Sequence, residues 1–474
     1  MKAVHCAAVD LGAAGGRVLL GTWEGHRLTH REVHRFPNQF RPLAGHDYWN
    51  LPQLWAEVQA GLQHALAALP AGARLASVGV DTWGVDHVLV NDAGRPVFPV
   101  HAYRDARTQA GHRRLRGAAL RRIYEATGQP NLSYNTSLQL QETLAVNPAL
   151  RRVATRCLLL PDYFNFLLSG RMENELSIAS TTQLLDVHGL RWSRPALAHF
   201  GIPAHWFSAP LPSPHRLGPV RGLPFLAHAL AIAVPGHDTA CAFDAMPAYA
   251  DGTDLYLSSG TWSLVGFESD TPLLGAAALR AGINNERLGR GRYRPLINCP
   301  GLWLLDQTLQ AFGRPPAADD EWNALLLAAE QAPASDVLLD VAAPDLFHPA
   351  DMRVAIDSQL KHLRAPRPRN VAGYTRLICD SLGHAHASAM RTFEQLSGQK
   401  FRHILMVGAG SRNRLLCKAT ADAAGVPVIS FQLEGSAIGN LANQFIALGA
   451  VAGRHVFRQE LVHNLRQTVY LPCF

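Results

Sequence analysis

The sequence predicts an α/β protein of two similarly built lobes, and three features indicate it. An apolar run that ends in Asp10 leads into a glycine-rich turn at residues 11–17 and resumes as a second apolar run. The same order of strand, small-residue turn and strand recurs at residues 254–267. Between the two copies, residues 234–240 have the sequence Val-Pro-Gly-His-Asp-Thr-Ala. We therefore expect a carboxylate, Asp238, near the junction of an N-terminal lobe (1–243) and a C-terminal lobe (244–474).

Composition favours an ordinary soluble enzyme. The chain has 474 residues, of which 48% are hydrophobic and 17% are charged, as in typical globular proteins. Half of this length is enough for each lobe to bury its own core. The formal net charge of +7 comes from scattered arginines, and the densest basic run, at residues 113–122, lies in a helical pattern typical of a solvated face. No nucleic-acid partner is expected.

Cysteine usage and hydropathy indicate a cytoplasmic location. The seven cysteines form no Cys-x-x-Cys pair and no zinc-like spacing with histidine, so we expect reduced thiols, as in the cytosol. Asp10 interrupts the first apolar run where a secretory signal would continue. No run reaches the ~18 apolar residues that a membrane span needs, so no membrane partner is expected.

The first glycine-rich turn is a candidate phosphate site. Gly12, Gly15 and Gly16 let the backbone approach a bound group and direct N–H donors towards it. Asp10 stands at the strand end, where a carboxylate can hold Mg²⁺ through water. A plain β-hairpin turn explains the same glycines equally well. A Walker-type loop is absent from the sequence, and so is a Rossmann fingerprint, since Gly12 leads into a strand and not a helix.

A second candidate site follows the next strand. Helical spacing over residues 51–69 precedes an apolar strand at 75–80, which ends in the sequence Asp-Thr-Trp-Gly-Val-Asp at 81–86. Carboxylates, an aromatic face and a bare glycine suit a polyhydroxylated ligand, although Asp81 and Asp86 would also serve as turn caps. An Asn-Asp-Ala-Gly turn then predicts a hairpin at 89–97, followed by a helix-rich region to residue 170 with a strand at 157–160.

The C-terminal half repeats this design. After a Pro- and Ala-rich stretch with helices at 313–369, the pattern predicts a helix at 371–396, a strand at 403–407, a helix at 413–424, a strand at 427–430 and a helix from 435. Glycine-rich turns thus follow strands at residues 12–16, 258–261 and 408–411. Together with Asp10 and Asp238, this ordered set indicates ATP-dependent phosphoryl transfer.

Several motifs together resemble the FGGY carbohydrate kinases, and within that family the rhamnulokinases most. They span residues 4–450 in order and lie at 10–17, 81–86, 103–107, 160–164, 237–240, 257–263 and 434–436. The resemblance implies the two-lobed actin-like ATPase (ribonuclease H-like) fold with duplicated domains and a central cleft. It also implies a reaction in which ATP and a ketose, here L-rhamnulose, give ADP and the ketose 1-phosphate with Mg²⁺.

The resemblance also assigns roles to residues. Asp238 is implied to be the general base, and Asp10 to hold Mg²⁺ through water. The implied sugar contacts are Asp81, Trp83, Gly84, His237, Thr239 and Asn298. The implied nucleotide contacts are Asp10, Gly12, Ala13, Ala14, Gly15, Gly16, Arg17, Gly260, Thr261, Asp306, Gly408 and Gly410.

Three departures from the family pattern leave alternatives open. Ala14 and Gly15 stand where the family usually has two serines, and Asp306 stands where it has a glutamine. Residues 129–134 also differ in a region implied to line the sugar pocket. The ketose could therefore be L-fuculose, L-ribulose or xylulose, and a catalytically impaired sugar-binding or regulatory protein is the alternative of another class. The sequence does not distinguish a monomer from a homodimer.

Overall fold

The computed structural model describes residues 3–248, 252–313, 315–347, 349–432, 434–462 and 465–473. It divides into two compact units that are each assembled from separate segments of the chain. The first unit comprises Met1–Pro247, Glu268–Pro295 and Glu434–Asn464, and the second comprises Ala248–Phe267, Leu296–Leu433 and Leu465–Phe474. The single division into lobes at residue 243 stays a prediction.

Helices and strands alternate along the chain, which confirms the α/β class. The elements up to residue 248 are β1 (Val4–Leu11), β2 (Gly15–Glu24), β3 (Arg27–Pro37), β4 (Arg41–Leu43), β5 (His46–Tyr48), α1 (Leu51–Ala67), β6 (Leu75–Thr82), β7 (His87–Val90), α2 (Gln109–Arg114), α3 (Gly117–Thr127), α4 (Thr136–Val146), α5 (Leu150–Val153), β8 (Arg156–Leu159), α6 (Leu160–Ser169), β9 (Asn174–Glu175), α7 (Leu176–Ala179), α8 (Arg194–Phe200), β10 (Pro210–Leu211), β11 (His215–Pro219), β12 (Leu230–Ala233) and α9 (Asp238–Ala245).

The elements from residue 252 onwards are β13 (Asp254–Ser259), β14 (Trp262–Gly266), α10 (Ala276–Arg280), β15 (Asn284–Arg287), β16 (Tyr293–Pro300), α11 (Trp303–Ala311), α12 (Asp319–Gln331), α13 (Met352–His362), α14 (Val371–Ser397), β17 (His403–Val407), α15 (Arg414–Ala424), β18 (Val428–Phe431), α16 (Gly435–Leu448), α17 (Arg454–Val462) and β19 (Gln467–Tyr470). The predicted helices and strands of the C-terminal half agree with these bounds to within a few residues.

The first unit is organised around a six-stranded sheet in the order β11-β12-β6-β1-β2-β3. Strand β1 pairs antiparallel with β2 and parallel with β6. Because it is central, β1 is buried along almost its whole length, which explains why most of its residues are apolar. Helix α1 covers one face; Asn50 caps it by accepting the Gln53 N–H, and its buried residues include Leu54, Val58 and Leu62.

The second unit repeats the plan. Its strands follow the order β16-β14-β13-β17-β18-β19, counting β16 from Leu296 onwards. Strand β13 pairs antiparallel with β14 and parallel with β17, just as β1 does with β2 and β6. The predicted repeat of strand, turn and strand is therefore confirmed.

The predicted hairpin at residues 89–97 is only partly correct. Its turn closes, with Asn91 N–H donating to Arg95 O at 3.1 Å and Gly94 N–H to Asn91 O at 2.8 Å. Beyond the turn, Val97 N–H donates to Leu89 O at 2.9 Å, and Val90 and Pro96 form a bridge. The return segment is not a full strand, because Pro96 cannot donate to a ladder, and β7 pairs along its whole length with β8.

Candidate active site

Two carboxylates lie side by side near the carboxyl-terminal ends of two internal strands of the first unit's sheet. Asp10 and Asp81 are partners in the parallel register of β1 and β6. Asp81 is fully buried, and Asn440 Nδ2 of helix α16 donates to its Oδ2 at 2.6 Å. Burial, and then the neighbouring Asp10, raise the pKa of Asp81 well above its ordinary value. Asp81 thus contacts protein groups, and its predicted sugar contact stays a prediction.

Arg17 is held by two carboxylates. Its Nε and Nη2 donate to Asp10 Oδ2 at 2.9 and 2.7 Å, and its Nη1 donates to Glu434. The pair with Asp10 follows from the hairpin, since the two residues are opposite each other in the register of β1 and β2. A phosphate bound by Arg17 would therefore compete with both carboxylates.

The glycines of the first turn are required by its shape. A Cβ on Gly12 would lie 2.9 Å from Gly15 O, and one on Gly16 would lie 2.2 Å from the Phe36 ring. Asn38 closes the turn by donating its Nδ2 to Gly12 O at 3.0 Å and its N–H to Ala14 O at 3.1 Å. The hairpin explanation therefore accounts for Gly12 and Gly16, while the exposed Ala14 at the tip is free to face a ligand.

Trp83 is fixed by the second carboxylate of its motif. Asp86 accepts hydrogen bonds from Trp83 Nε1 at 2.8 Å, Trp49 Nε1 at 2.6 Å and Gln139 Nε2 at 3.2 Å. Burial raises the pKa of Asp86 to about 6, although these donors oppose the increase. Asp86 thus orients two indole rings instead of capping a turn.

Asp238 is the first residue of helix α9 and follows the turn that leaves β12. Two hydrogen bonds of Gly236 hold this turn in place. Gly236 N–H donates to the buried Glu175 at 2.8 Å, and Gly236 O accepts the Thr82 N–H at 2.9 Å. Burial raises the pKa of Asp238 to about 6, with His237 opposing and Asp10 adding to the increase. The carboxylate is therefore mainly ionised at pH 7 and available as a base.

Helix α9 lies against α16 at a crossing where glycines let the two backbones approach closely. A Cβ on Gly439 would lie 1.8 Å from Cys241 O, and one on Gly435 would lie 3.2 Å from Ala242 Cβ. Further along α16, Gln444 Nε2 donates to Ala7 O of β1 at 2.9 Å. Helix α16 thereby joins the helix of Asp238 to the strand of Asp10.

His237 belongs to a buried polar cluster that the sequence patterns did not reveal. Its Nδ1 lies 2.9 Å from Glu286 Oε2 and 2.5 Å from Arg294 Nη2, and Arg294 Nη1 donates to Thr239 Oγ1 at 2.8 Å. On its other side, a Cβ on Gly84 would lie 3.3 Å from His237 Nε2. The structure thus brings together four predicted residues, Gly84, His237, Asp238 and Thr239. The sequence gives one signal for Glu286 and Arg294: each is a charged residue within a strand, β15 or β16. Charged residues are uncommon at buried positions of a sheet.

The remaining predicted residues lie in the second unit. The turn after β13 meets the turn after β17, since a Cβ on Gly408 would lie 2.5 Å from Ser259 O and one on Gly410 would lie 2.2 Å from Ser259 Oγ. Gly260 O accepts the Leu302 N–H at 2.8 Å, which places the start of helix α11 beside this turn. The other predicted residues of this unit, Thr261, Asn298 and Asp306, are exposed.

Two features are absent from the part of the chain that the structure describes. Among them, no group of three or more His, Cys, Asp or Glu side chains is arranged to hold a metal ion. No helix within the same part of the chain combines the length and apolar character that a bilayer span requires.

Comparisons with known proteins agree with the geometry. The model of the FGGY family of carbohydrate kinases, N-terminal domain, matches residues 6–246, and that of the C-terminal domain matches residues 255–448. A rhamnulokinase of Klebsiella pneumoniae (strain 342) is 37% identical over 475 residues, which covers 100% of this chain and 95% of the relative. A rhamnulokinase of Enterobacter sp. (strain 638) is 36% identical over 471 residues, covering 99% and 94%.

Solved structures show the same fold. A gluconate kinase from Lactobacillus acidophilus matches with a TM-score of 0.80 at 14% identity, covering 100% of this chain and 94% of that chain. A xylulose kinase from the same organism gives a TM-score of 0.79 at 14% identity, covering 99% and 94%. Plasmodium falciparum glycerol kinase with ADP gives 0.80 at 12% identity, covering 99% and 94%. These matches confirm the predicted actin-like ATPase fold.

Proposed function

Because the chain belongs to the FGGY family of carbohydrate kinases, an ATP-dependent group of sugar kinases, we propose that it phosphorylates the 1-hydroxyl of a ketose and that this ketose is L-rhamnulose. The full-length relatives named rhamnulokinase support this substrate. L-Fuculose, L-ribulose and xylulose are the alternatives. We also propose that the reaction takes place in the cytoplasm and that the two lobes meet near residue 243. Both a monomer and a homodimer are compatible with this proposal.

The observation that carries the proposal is the position and charge of Asp238. It begins α9 beside His237 and Thr239, and its pKa of about 6 keeps it ionised yet basic enough to accept a hydroxyl proton at pH 7. The attacked phosphoryl group passes through a loose transition state, so alignment of the hydroxyl and neutralisation of charge matter most. The proposed sugar contacts are Asp81, Trp83, Gly84, His237, Thr239 and Asn298.

ATP and Mg²⁺ are the proposed cofactors, and the residues present fit them. Gly408 and Gly410 lie so close to Ser259 that no side chain fits at either position, so the two turns pack directly against each other, and the exposed backbone of Gly408 is the part that a nucleotide could approach. Mg²⁺ keeps most of its water and needs only one or two carboxylates, so Asp10 suffices to hold it through water. The proposed nucleotide contacts are Asp10, residues 12–17, Gly260, Thr261, Asp306, Gly408 and Gly410.

Replacement of the base tests the proposal. Asp238→Asn should lower kcat by roughly 10²-fold or more while leaving ketose binding nearly unchanged, measured by ADP release and by calorimetry. Asp92→Asn changes an exposed carboxylate in a turn and serves as the matched control. Normal turnover by Asp238→Asn would show that another group is the base.

A catalytically impaired sugar-binding or regulatory protein is the second candidate. It is favoured by Arg17, whose donors are occupied by Asp10 and Glu434, and by the anionic Asp306 among the proposed nucleotide contacts. Ala14 and Gly15 also provide no hydroxyl donors. A screen of ATP consumption over the four ketoses separates the candidates: sugar binding without turnover on any of them would support the second.

A further inference from the structure

The backbone is strained at Val85, which follows the proposed sugar contact Gly84. The φ angle of Val85 is 70°, where the branched Cβ of a valine is crowded by its own backbone. Asp86 N–H donates to Gly84 O at 2.9 Å, so Val85 is the central residue of a γ-turn with positive φ, which is a rare and strained turn. Among the residues that the structure describes, no other β-branched residue has a positive φ. Such strain persists only where the surrounding structure imposes it, and it is concentrated at functional sites.

Two threonines hold the peptide groups of Val85. Thr136, the first residue of α4, donates its hydroxyl hydrogen to Val85 O at 2.6 Å. Val85 N–H donates to Thr181 Oγ1 at 3.2 Å, and this hydroxyl in turn donates to Ile178 O at 2.9 Å. Gln139 Nε2 lies 3.4 Å from Val85 O, which is a much weaker contact. Because Thr136 and Thr181 are both buried, the γ-turn is restrained by hydroxyls of the protein and not by solvent.

The γ-turn determines how close Gly84 lies to His237. A Cβ on Gly84 would lie 3.3 Å from His237 Nε2 and 3.5 Å from Thr181 Oγ1, so a small displacement of Gly84 would close or widen the space beside His237. Gly84 is partly exposed, whereas Val85 is buried. A ligand that contacts both Gly84 and His237 therefore depends on the conformation of Val85.

We propose that Thr136 and Thr181 hold Val85 in its strained γ-turn and thereby position Gly84 for the ketose. Both threonines are positioning residues, and Thr136 acts only through Val85, since it has no exposed surface from which to contact a sugar. The sugar in this inference rests on the proposed function, but the strain and its restraint do not. Without the hydroxyl of Thr136, we expect Val85 to relax to negative φ and to carry Gly84 away from its place beside His237.

The strain itself can be measured without sugar or ATP. Val85→Gly and Val85→Ala remove nearly the same buried side chain, but only glycine adopts positive φ without strain. At an ordinary position alanine is the more stabilising of the two, because glycine is more flexible in the unfolded chain. We therefore expect Val85→Gly to unfold at a higher temperature than Val85→Ala. The reverse order would show that Val85 is not strained and would overturn the inference.

The restraint is tested by removing the hydroxyl of Thr136. Thr136→Val keeps the shape of the side chain, and Thr136→Ser keeps the hydroxyl. In crystal structures, Thr136→Val should have Val85 at negative φ and lack the hydrogen bond from Asp86 N–H to Gly84 O, whereas Thr136→Ser should keep the γ-turn. The double variant Thr136→Val/Val85→Gly should keep it as well, because glycine needs no restraint at positive φ. An intact γ-turn in Thr136→Val would show that Thr136 does not hold it.

Calorimetry with L-rhamnulose tests the consequence for the sugar. In Thr136→Val, Kd should rise about tenfold, the effect of one lost hydrogen bond, while KM for ATP stays unchanged. The double variant Thr136→Val/Val85→Gly should bind within about threefold of Val85→Gly alone, because the two changes act on the same turn. Thr375→Val is the matched control, since it removes a buried hydroxyl that donates to Val371 O at 2.9 Å in the other unit.

The outcomes separate this inference from the proposed function. A Thr136→Val protein that unfolds cooperatively and binds L-rhamnulose as the wild type does would refute the positioning role. If the wild type binds none of the four ketoses, the proposed function is wrong. The order of unfolding temperatures and the crystal structures would then still decide whether Thr136 restrains a strained Val85.

Discussion

Replacing Gly439 with alanine should displace the helix that carries Asp238. The added Cβ would lie 1.8 Å from Cys241 O and 2.4 Å from Cys241 C, whereas ordinary contact begins near 3.4 Å. The atoms in the way belong to the backbone, so no side-chain rotation relieves the overlap. Helices α9 and α16 must separate by roughly 1.5 Å, or one of them must shift along the other.

The size of the effect follows from two opposing contributions. Alanine inside a helix is intrinsically better than glycine by about 1 kcal/mol. Overpacking of this kind costs about 1–3 kcal/mol and sometimes more, and a clash with backbone belongs at the upper end. We expect a net loss of about 2 kcal/mol in the free energy of unfolding. A shift of ~1 Å in the base can lower the rate about 10²-fold, so kcat should fall more than stability alone explains.

The assay compares Gly439→Ala with Gly453→Ala. A Cβ on Gly453 meets nothing within 4 Å, so this control should keep both the melting temperature and kcat. Chemical unfolding gives the free energy, and ADP release under saturating substrates gives kcat. Wild-type stability and turnover in Gly439→Ala would show that the two helices are not packed as closely as described.

Three further predictions concern charge. Because the ionised form of Asp238 is the base and its pKa is about 6, kcat/KM should be level above pH ~7 and fall about tenfold per unit below pH ~6; a level profile down to pH 5 would contradict the assignment. Burial opposes ionisation of Glu268, but Arg458 and Arg454 lower its pKa to about 2. Its stabilisation of about 3 kcal/mol is therefore complete above its ordinary pKa near 4.5 and is lost as the pH falls towards 2, and Glu268→Gln should flatten acid unfolding curves in that range. Asp306→Gln removes an exposed anion and should lower KM for ATP; an unchanged KM would show that Asp306 does not affect the nucleotide.

Sequence patterns predicted those parts of the fold that rest on local rules. Strands β1 and β13 are buried and largely apolar in their central residues because each is central in its sheet, and a short turn containing glycine follows each, so both hairpins follow from the sequence. The hairpin at 89–97 forms its local turn and a hydrogen bond from Val97 N–H to Leu89 O. The partner along the whole of β7 is β8, in which Leu89 pairs with Cys157, and pairing at that distance in the sequence leaves no periodic signal.

The candidate site was only partly predictable for the same reason. Asp238, His237 and Thr239 are consecutive, so one motif identifies all three. Glu286 and Arg294 contact His237 from about fifty residues away, and neither has a neighbour in the sequence that indicates a buried ion pair. Only the fold shows that these two charges compensate each other, which is the condition for their burial.

The contacts of Arg17 give it a structural role in addition to its proposed contact with the nucleotide. The hairpin register places Arg17 opposite Asp10, and the parallel register places Asp81 on the other side of Asp10, so Asp10 lies between a cation and a second carboxylate. Arg17 therefore already has a structural task, which is to neutralise Asp10 next to Asp81. Asp10 would hold Mg²⁺ through water, and the bound metal would supply the neutralisation that Arg17 now supplies, so Asp10 would hold Arg17 less tightly. Metal binding would then favour release of the guanidinium towards phosphate, because the metal would replace the positive charge that Asp10 loses when Arg17 leaves.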